Sequence, residues 1–395
     1  MNVYKLKEIF IEFKDGDWIE SKNQSEDGIR LIQTGNIGNG IYIEKSTKAK
    51  FISEKTMEEL NCNEIFEGDI LISRLPSPVG RACILPNLRT RAITAVDCTI
   101  GRIDYKICNR KYFIYFTMSD DYSRQINKFV VGTTRKRISR KNLEEINISL
   151  PNIAIQNKIV EKLDIALELI NKRKLQIKEL DLLVKSKFIE MFRGDKNFDY
   201  IKIENLVEVK SDIVDGPFGS NLKTIDYVDS GVRVIQINNI GESQFRNGNK
   251  RYITEEKFNS LIKHSVIPGD IVVAKMGEPI GRACIVPNWL EKAVIVADCM
   301  KIHPDLNVIN AKYLEFLLNT EEVKVQFKKY SQGSTRVRLN LTMLRQIEVL
   351  YPPIELQNQF ADFVKQVDKL KFEMEQSLKE LEDNFNSLMQ KSFNI

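Results

Sequence analysis

The sequence predicts an α+β protein in which one unit is written twice: two globular, sheet-rich α/β domains separated by two long antiparallel helices that form a coiled coil. Three observations predict this. Gly80-Arg81-Ala82-Cys83-Ile84-Leu85-Pro86-Asn87 returns 201 residues later as Gly281-Arg282-Ala283-Cys284-Ile285-Val286-Pro287-Asn288. The same offset relates Gly68-Asp69 to Gly269-Asp270, Asp97-Cys98 to Asp298-Cys299, Gly132 to Gly333 and Gln156 to Gln357, in a chain of 395 residues. Repetition in one register over half a chain marks a duplicated unit. Finally, the stretches from Pro151 to about Phe192 and from Pro352 to about Phe393 run without glycine or proline once past their opening prolines, which suit a first helical position.

Taken in order, residues 1–150 form the first globular domain, 151–193 the central helix, 194–351 the second domain and 352–395 the C-terminal helix. In the domains, Arg30 to Ile37 and Arg233 to Ile240 are β-favouring runs that end in turn residues. Ile70-Leu71-Ile72-Ser73 and Ile271-Val272-Val273-Ala274 are apolar runs launched from Gly-Asp turns, and each domain is expected to hold a twisted, partly barrel-like sheet. Helices are expected at Arg110 to Gln125 and Ala311 to Tyr330. In the central helix every seventh residue is apolar: Leu163, Ile170, Ile177, Val184 and Met191. The C-terminal helix carries the matching column at Val367, Met374, Leu381 and Leu388. Offset heptad columns layer against each other in an antiparallel pair. At 1.5 Å per residue each helix extends about 60 Å.

Composition excludes several kinds of chemistry. The two histidines, His264 and His303, lie in one half only, and the six cysteines form no C-x-x-C pair, so buried thiols are expected and no metal. There is no P-loop, and Gly35-Asn36-Ile37-Gly38-Asn39-Gly40 has the wrong spacing for a dinucleotide fingerprint. Tyr351-Pro352-Pro353-Ile354 opens a helix, and Glu255-Glu256-Lys257 reads as a solvated helix face. The chain is expected to carry no catalytic residues and no cofactor of its own. No run of eighteen apolar residues occurs and the start lacks a signal-peptide core, so a cytoplasmic protein without membrane contact is expected.

The net charge is +5, and the cations cluster. Gly132-Thr133-Thr134-Arg135-Lys136-Arg137 recurs in outline as Gly333-Ser334-Thr335-Arg336-Val337-Arg338. A glycine and hydroxyl loop running into cations supplies the donors that phosphate oxygens require, although either copy alone also reads as a solvated basic turn. Arg74 and Lys275 follow equivalent strands, with Arg81 and Arg282 after them. Two loops combine a turn, an aromatic and a lysine: Trp18 with Lys22, and Phe218 with Ser220 and Lys223. Together these are the candidate DNA-contacting residues.

With these motifs assembled, the chain resembles the type I restriction-modification specificity subunits. The resemblance rests on Pro268-Gly269-Asp270-Ile271, the paired Gly-Arg-Ala-Cys motifs, Gly333-Ser334-Thr335-Arg336, the Pro-x-x-x-x-Gln helix starts and Lys187-Phe188-Ile189-Glu190-Met191-Phe192-Arg193-Gly194-Asp195. It implies two target recognition domains reading an asymmetric, interrupted site on double-stranded DNA. It further implies two modification (methyltransferase) subunits that methylate adenine with S-adenosylmethionine, and restriction subunits that translocate and cut with ATP and Mg. A stand-alone DNA-binding regulator without such partners is the alternative.

Overall fold

The computed structural model describes residues 2–194, 197–330 and 338–393. The chain divides into two compact units, Met1–Gln176 with Met374–Ile395, and Ile177–Glu373. Each unit takes one globular domain together with part of each long helix, so the helices form no separate body.

In the first unit the strands Phe10–Asp15, Cys98–Ile103, Ile70–Ser73 and Ala82–Ile84 form one sheet in that spatial order. Lys50–Ile52, Ile29–Ile32, Ala92–Thr94 and Glu64–Ile65 form a second. A two-stranded ribbon pairs Asn2–Lys5 with Asn147–Leu150, the last strand before the central helix. The second unit repeats this topology: Ile213–Asp215, Cys299–Ile302, Ile271–Ala274 and Ala283–Ile285 in one sheet, Arg251–Ile253, Val232–Ile235, Ala293–Ile295 and Ser265–Val266 in the other. Its ribbon joins Asp199–Lys202 to Glu348–Tyr351. The partly barrel-like sheet expected for each domain is therefore two four-stranded sheets and a ribbon.

The strand expected from Arg30 to Ile37 stops at Ile32, and Thr34–Asn36 is a 3-10 turn because the Asn36 side chain accepts from the Gln33 backbone N–H. The helix expected from Arg110 to Gln125 is two, Arg110–Thr117 and Asp120–Phe129, since Ser119 caps the second through its hydroxyl. The counterpart divides likewise into Ala311–Leu318 and Glu321–Tyr330.

The long helices span Ile153–Phe192 and Ile354–Phe393. Their starts show why glutamine follows each proline at a fixed distance. Gln156 is fully buried; its amide donates to the Pro151 and Ile107 carbonyls and its oxygen accepts from the Asn109 N–H at 2.8 Å. Gln357 repeats the arrangement with the Pro352 carbonyl and the Asn310 N–H. These clamps satisfy backbone groups that burial would otherwise leave unpaired.

Within each unit the two long helices run antiparallel. In the second, Asp181 meets Lys371 at 2.7 Å, while further along Phe188 and Phe192 both pack on Phe360. In the first, Lys174 meets Glu382 at 2.7 Å, and Val160, Leu163 and Ile170 share a core with Phe385, Met389 and Phe393. All five residues of the first predicted column are buried or half-buried, as are Val367, Met374, Leu381 and Leu388. The most buried positions of the second helix nevertheless lie beside that column, because the domain helices pack there as a third layer: Tyr112 on Phe393 at 4.9 Å, Phe316 on Phe360 at 4.9 Å.

Among the described residues no helix is long and apolar enough to cross a membrane.

Candidate nucleic-acid interface

Each domain carries an exposed aromatic tip, and an ion pair between a buried cation and a half-buried carboxylate links it to the described root of the basic segment. In the first unit the strand Phe10–Asp15 ends at a half-buried carboxylate. Arg74, 5% exposed, approaches Asp15 to 3.5 Å through Nε, and Arg140 approaches its other oxygen to 3.6 Å. The turn after Asp15 lies so close to the neighbouring backbone that a Cβ on Gly16 would sit 2.4 Å from the Thr94 carbonyl oxygen. Trp18 follows, 71% exposed. The Arg74 carbonyl accepts from the N–H of Ile138, the fully buried residue at the root of the basic loop.

The second unit rebuilds the same joint with different residues. Lys275, 6% exposed, pairs with Asp215 at 2.8 Å; a Cβ on Gly216 would lie 1.9 Å from the Val296 carbonyl oxygen; Phe218 follows, 83% exposed. The Lys275 carbonyl accepts from Leu339 N–H at 2.8 Å, and Leu339 is fully buried.

Four predicted contacts are thereby corrected. Arg74 and Lys275 are buried, Arg74 lying beside Asp15 and donating to the Val96 carbonyl and Lys275 pairing with Asp215, so both hold the tips in place from within the fold. Arg81 and Arg282 are clamps. The Arg81 guanidinium donates to the carbonyls of Ile37, Thr34, Pro76 and Pro78, and that of Arg282 to Ile240, Ile237 and Pro279. A planar fork of donors closes a loop in this way where a lysine could not.

The other candidates are open to solvent. Val131 and Arg137 exchange two backbone hydrogen bonds of 3.0 Å, and Gly132 takes φ 96°, so Thr133, Thr134, Arg135 and Lys136 project as a tight exposed hairpin, with Arg137 exposed at its base. Among the described residues none of these three cations is held in an ion pair. Lys22 sits 2.9 Å from Glu20 and holds that carboxyl below the usual carboxylate range. Ser220 and Lys223 are exposed. Arg338 is exposed and reaches Asp298 at 2.9 Å. Ser334, Thr335 and Arg336 lie outside the described residues.

Sequence reasoning missed Asp15, Asp215, Ile138 and Leu339, which make the joint; the repeated Asp-Gly dipeptides at 15–16 and 215–216 were the available signal. For the histidines it named no partner. His303 pairs with the buried Asp270 at 2.5 Å, the place Arg102 takes beside Asp69 in the first unit. Five cysteines are buried and Cys62 half-buried, and among the described residues no His, Cys, Asp or Glu group is arranged for a metal.

Such a surface of hydroxyls, unpaired cations and exposed aromatics on rigid joints suits a polyanion with stacking faces. Known proteins point the same way. The chain is 24% identical over 278 residues to the type I restriction enzyme MjaVIII specificity subunit of Methanocaldococcus jannaschii, 67% of this chain and 65% of that protein. It therefore spans just under two thirds of that relative's length. It is 22% identical over 366 residues to the StySPI specificity subunit of Salmonella potsdam, covering 87% of this chain and 76% of that one. The type I restriction-modification S subunit of M. genitalium shares the fold with a TM-score of 0.58 at 15% identity, over 99% of this chain and 96% of the other. Residues 1–179 and 223–383 match the family described as the type I restriction modification DNA specificity domain, and the chain belongs to that family.

Proposed function

We propose that this chain is the sequence-reading component of a type I restriction-modification complex, binding double-stranded DNA through two unlike domains. The observation that carries the reading is the joint repeated in both units, in which an exposed aromatic tip and the root of a basic segment, Ile138 or Leu339, meet at one ion pair with a buried cation. Dissimilar residues around a common scaffold support a site with two different parts, hence an asymmetric one. Catalysis is assigned to partners: two modification subunits using S-adenosylmethionine, and restriction subunits using ATP and Mg. The long helices keep large apolar side chains exposed, among them Leu175 at 60% and Phe372 at 60%, faces suited to such subunits. The place of work is the cytoplasm, with the DNA.

Co-expression with a candidate modification subunit, followed by mapping of methylated adenines, tests this. The expected outcome is one interrupted, non-palindromic motif that disappears when this chain is omitted. Methylation that is unchanged without the chain, or a contiguous palindrome, would overturn the reading.

A further inference from the structure

Arg30 and Arg233 occupy matching strands, Ile29–Ile32 and Val232–Ile235, and are buried to 7% and 5% exposure. Each guanidinium lies over a ring of the next strand, Phe51 at 5.5 Å and Tyr252 at 5.7 Å. They differ in counter-charge. Arg30 meets Glu44 at 3.2 Å. Arg233 has no carboxylate partner among the described residues: it donates to the Gly248 carbonyl at 3.0 Å, and its Nε and second Nη stay buried without a hydrogen-bond partner. A buried, uncompensated cation is costly unless an anion comes near it.

The segment that Arg233 holds through Gly248 runs on into Asn249, Lys250 and Arg251, which together with Gln236 and Asn238 line a recess of about 420 Å³. The whole lining is amide or cation. Asn238, Asn249 and Lys250 are exposed and their side chains make no hydrogen bond or ion pair among the described residues. Arg251 leans over Tyr227 at 5.8 Å. The first domain carries other groups at the matching places. Gly35 stands in the 3-10 turn where the second domain has Asn238, with Lys45 Nζ 2.7 Å from where a Cβ would be, and Lys48 stands two residues before its strand, as Asn249 does.

We propose that this recess is the base-reading element of the second domain, a proposal that rests on the DNA-binding reading above. The Asn238 and Asn249 carboxamides meet the major-groove edge of a base pair, and Lys250 and Arg251 hold flanking phosphates. A carboxamide offers a donor and an acceptor side by side, the pattern that adenine N6 and N7 complement, so an A·T pair is expected at that position. The first domain, with Gly35, Lys45 and Lys48 at its equivalent recess, reads a different pair.

The test uses the full chain and a pool of duplexes with randomised sequence, selected for binding and sequenced. The variants are Asn238→Ala and Asn249→Gly, glycine being chosen because Asn249 has φ 43°; circular dichroism and melting check their fold, and either variant suffices. The wild type is expected to enrich a two-part motif. Each variant is expected to lose roughly 10- to 100-fold of the discrimination at one position in one part, keeping the other part and affinity for bulk duplex within about twofold. Arg251→Ala is expected to weaken all duplexes alike and to lower the salt slope by about one. Variants that keep both parts of the motif overturn this inference alone; a wild type that enriches nothing overturns the DNA-binding reading along with it.

Discussion

Replacing Arg135, Lys136 and Arg137 together with alanine isolates the electrostatic part of the mechanism. All three are exposed and none is held in an ion pair among the described residues, so removing them strands no buried partner. The loop's form depends on Gly132 and on the backbone pairing of Val131 with Arg137, which alanine leaves in place. If each cation neutralises one phosphate, the slope of log K against log salt falls by about 0.9 per residue, or about 2.7 in all. Between 50 and 200 mM salt the wild type would then lose about 40-fold more affinity than the triple variant. Fluorescence anisotropy on a labelled duplex at several salt concentrations measures this, with Lys55→Ala, an exposed cation paired with Glu59 at 3.6 Å, as the control that leaves the slope unchanged. A wild-type slope in the triple variant, or weakening confined to one DNA sequence, would refute phosphate contact by this loop.

Three further outcomes follow from the packing. Gln156→Leu and Gln357→Leu each leave a buried N–H and a buried proline carbonyl without a partner, and urea denaturation should show a loss of about 2–4 kcal/mol in each case; a loss below about 0.5 kcal/mol would mean that water replaces the clamp. Arg81→Lys breaks the carbonyl fork and is expected to cost about 1–2 kcal/mol of stability while leaving the salt slope of DNA binding at the wild-type value. Burial pushes the Cys83, Cys98, Cys108 and Cys299 thiols up to about 12, whereas half-buried Cys62 rises to about 11. Thiolate is the reactive form, so mass spectrometry after alkylation of the native chain near pH 8 should find label on Cys62 before any other cysteine, and early label on Cys108 would contradict the fold.

How far a residue's role could be read in advance depended on how local its cause is. Heptad columns and helix starts are local, so Leu163, Ile170 and Ile177 were legible from spacing. The Thr133 to Arg137 loop was legible too, because a glycine followed by hydroxyls and cations leaves little alternative to an exposed turn, and Gly132 does take a left-handed φ there. Arg74 and Arg81 were misread for the opposite reason. An arginine after a strand looks the same in sequence whether its guanidinium meets solvent, Asp15, or the carbonyls of Ile37 and Thr34, and those partners come from segments tens of residues away.

By itself, the sequence determined the duplication, the long helices with their inward columns, the lack of the usual catalytic and cofactor motifs, and the family resemblance, since these are properties of order and spacing along one chain. Only the tertiary structure decided which cations remain available to a ligand. Burial and pairing are set where Asp15 meets Arg74, where Asp215 meets Lys275, and where Arg233 is left without a carboxylate, and those encounters exist only once distant strands have been brought into register.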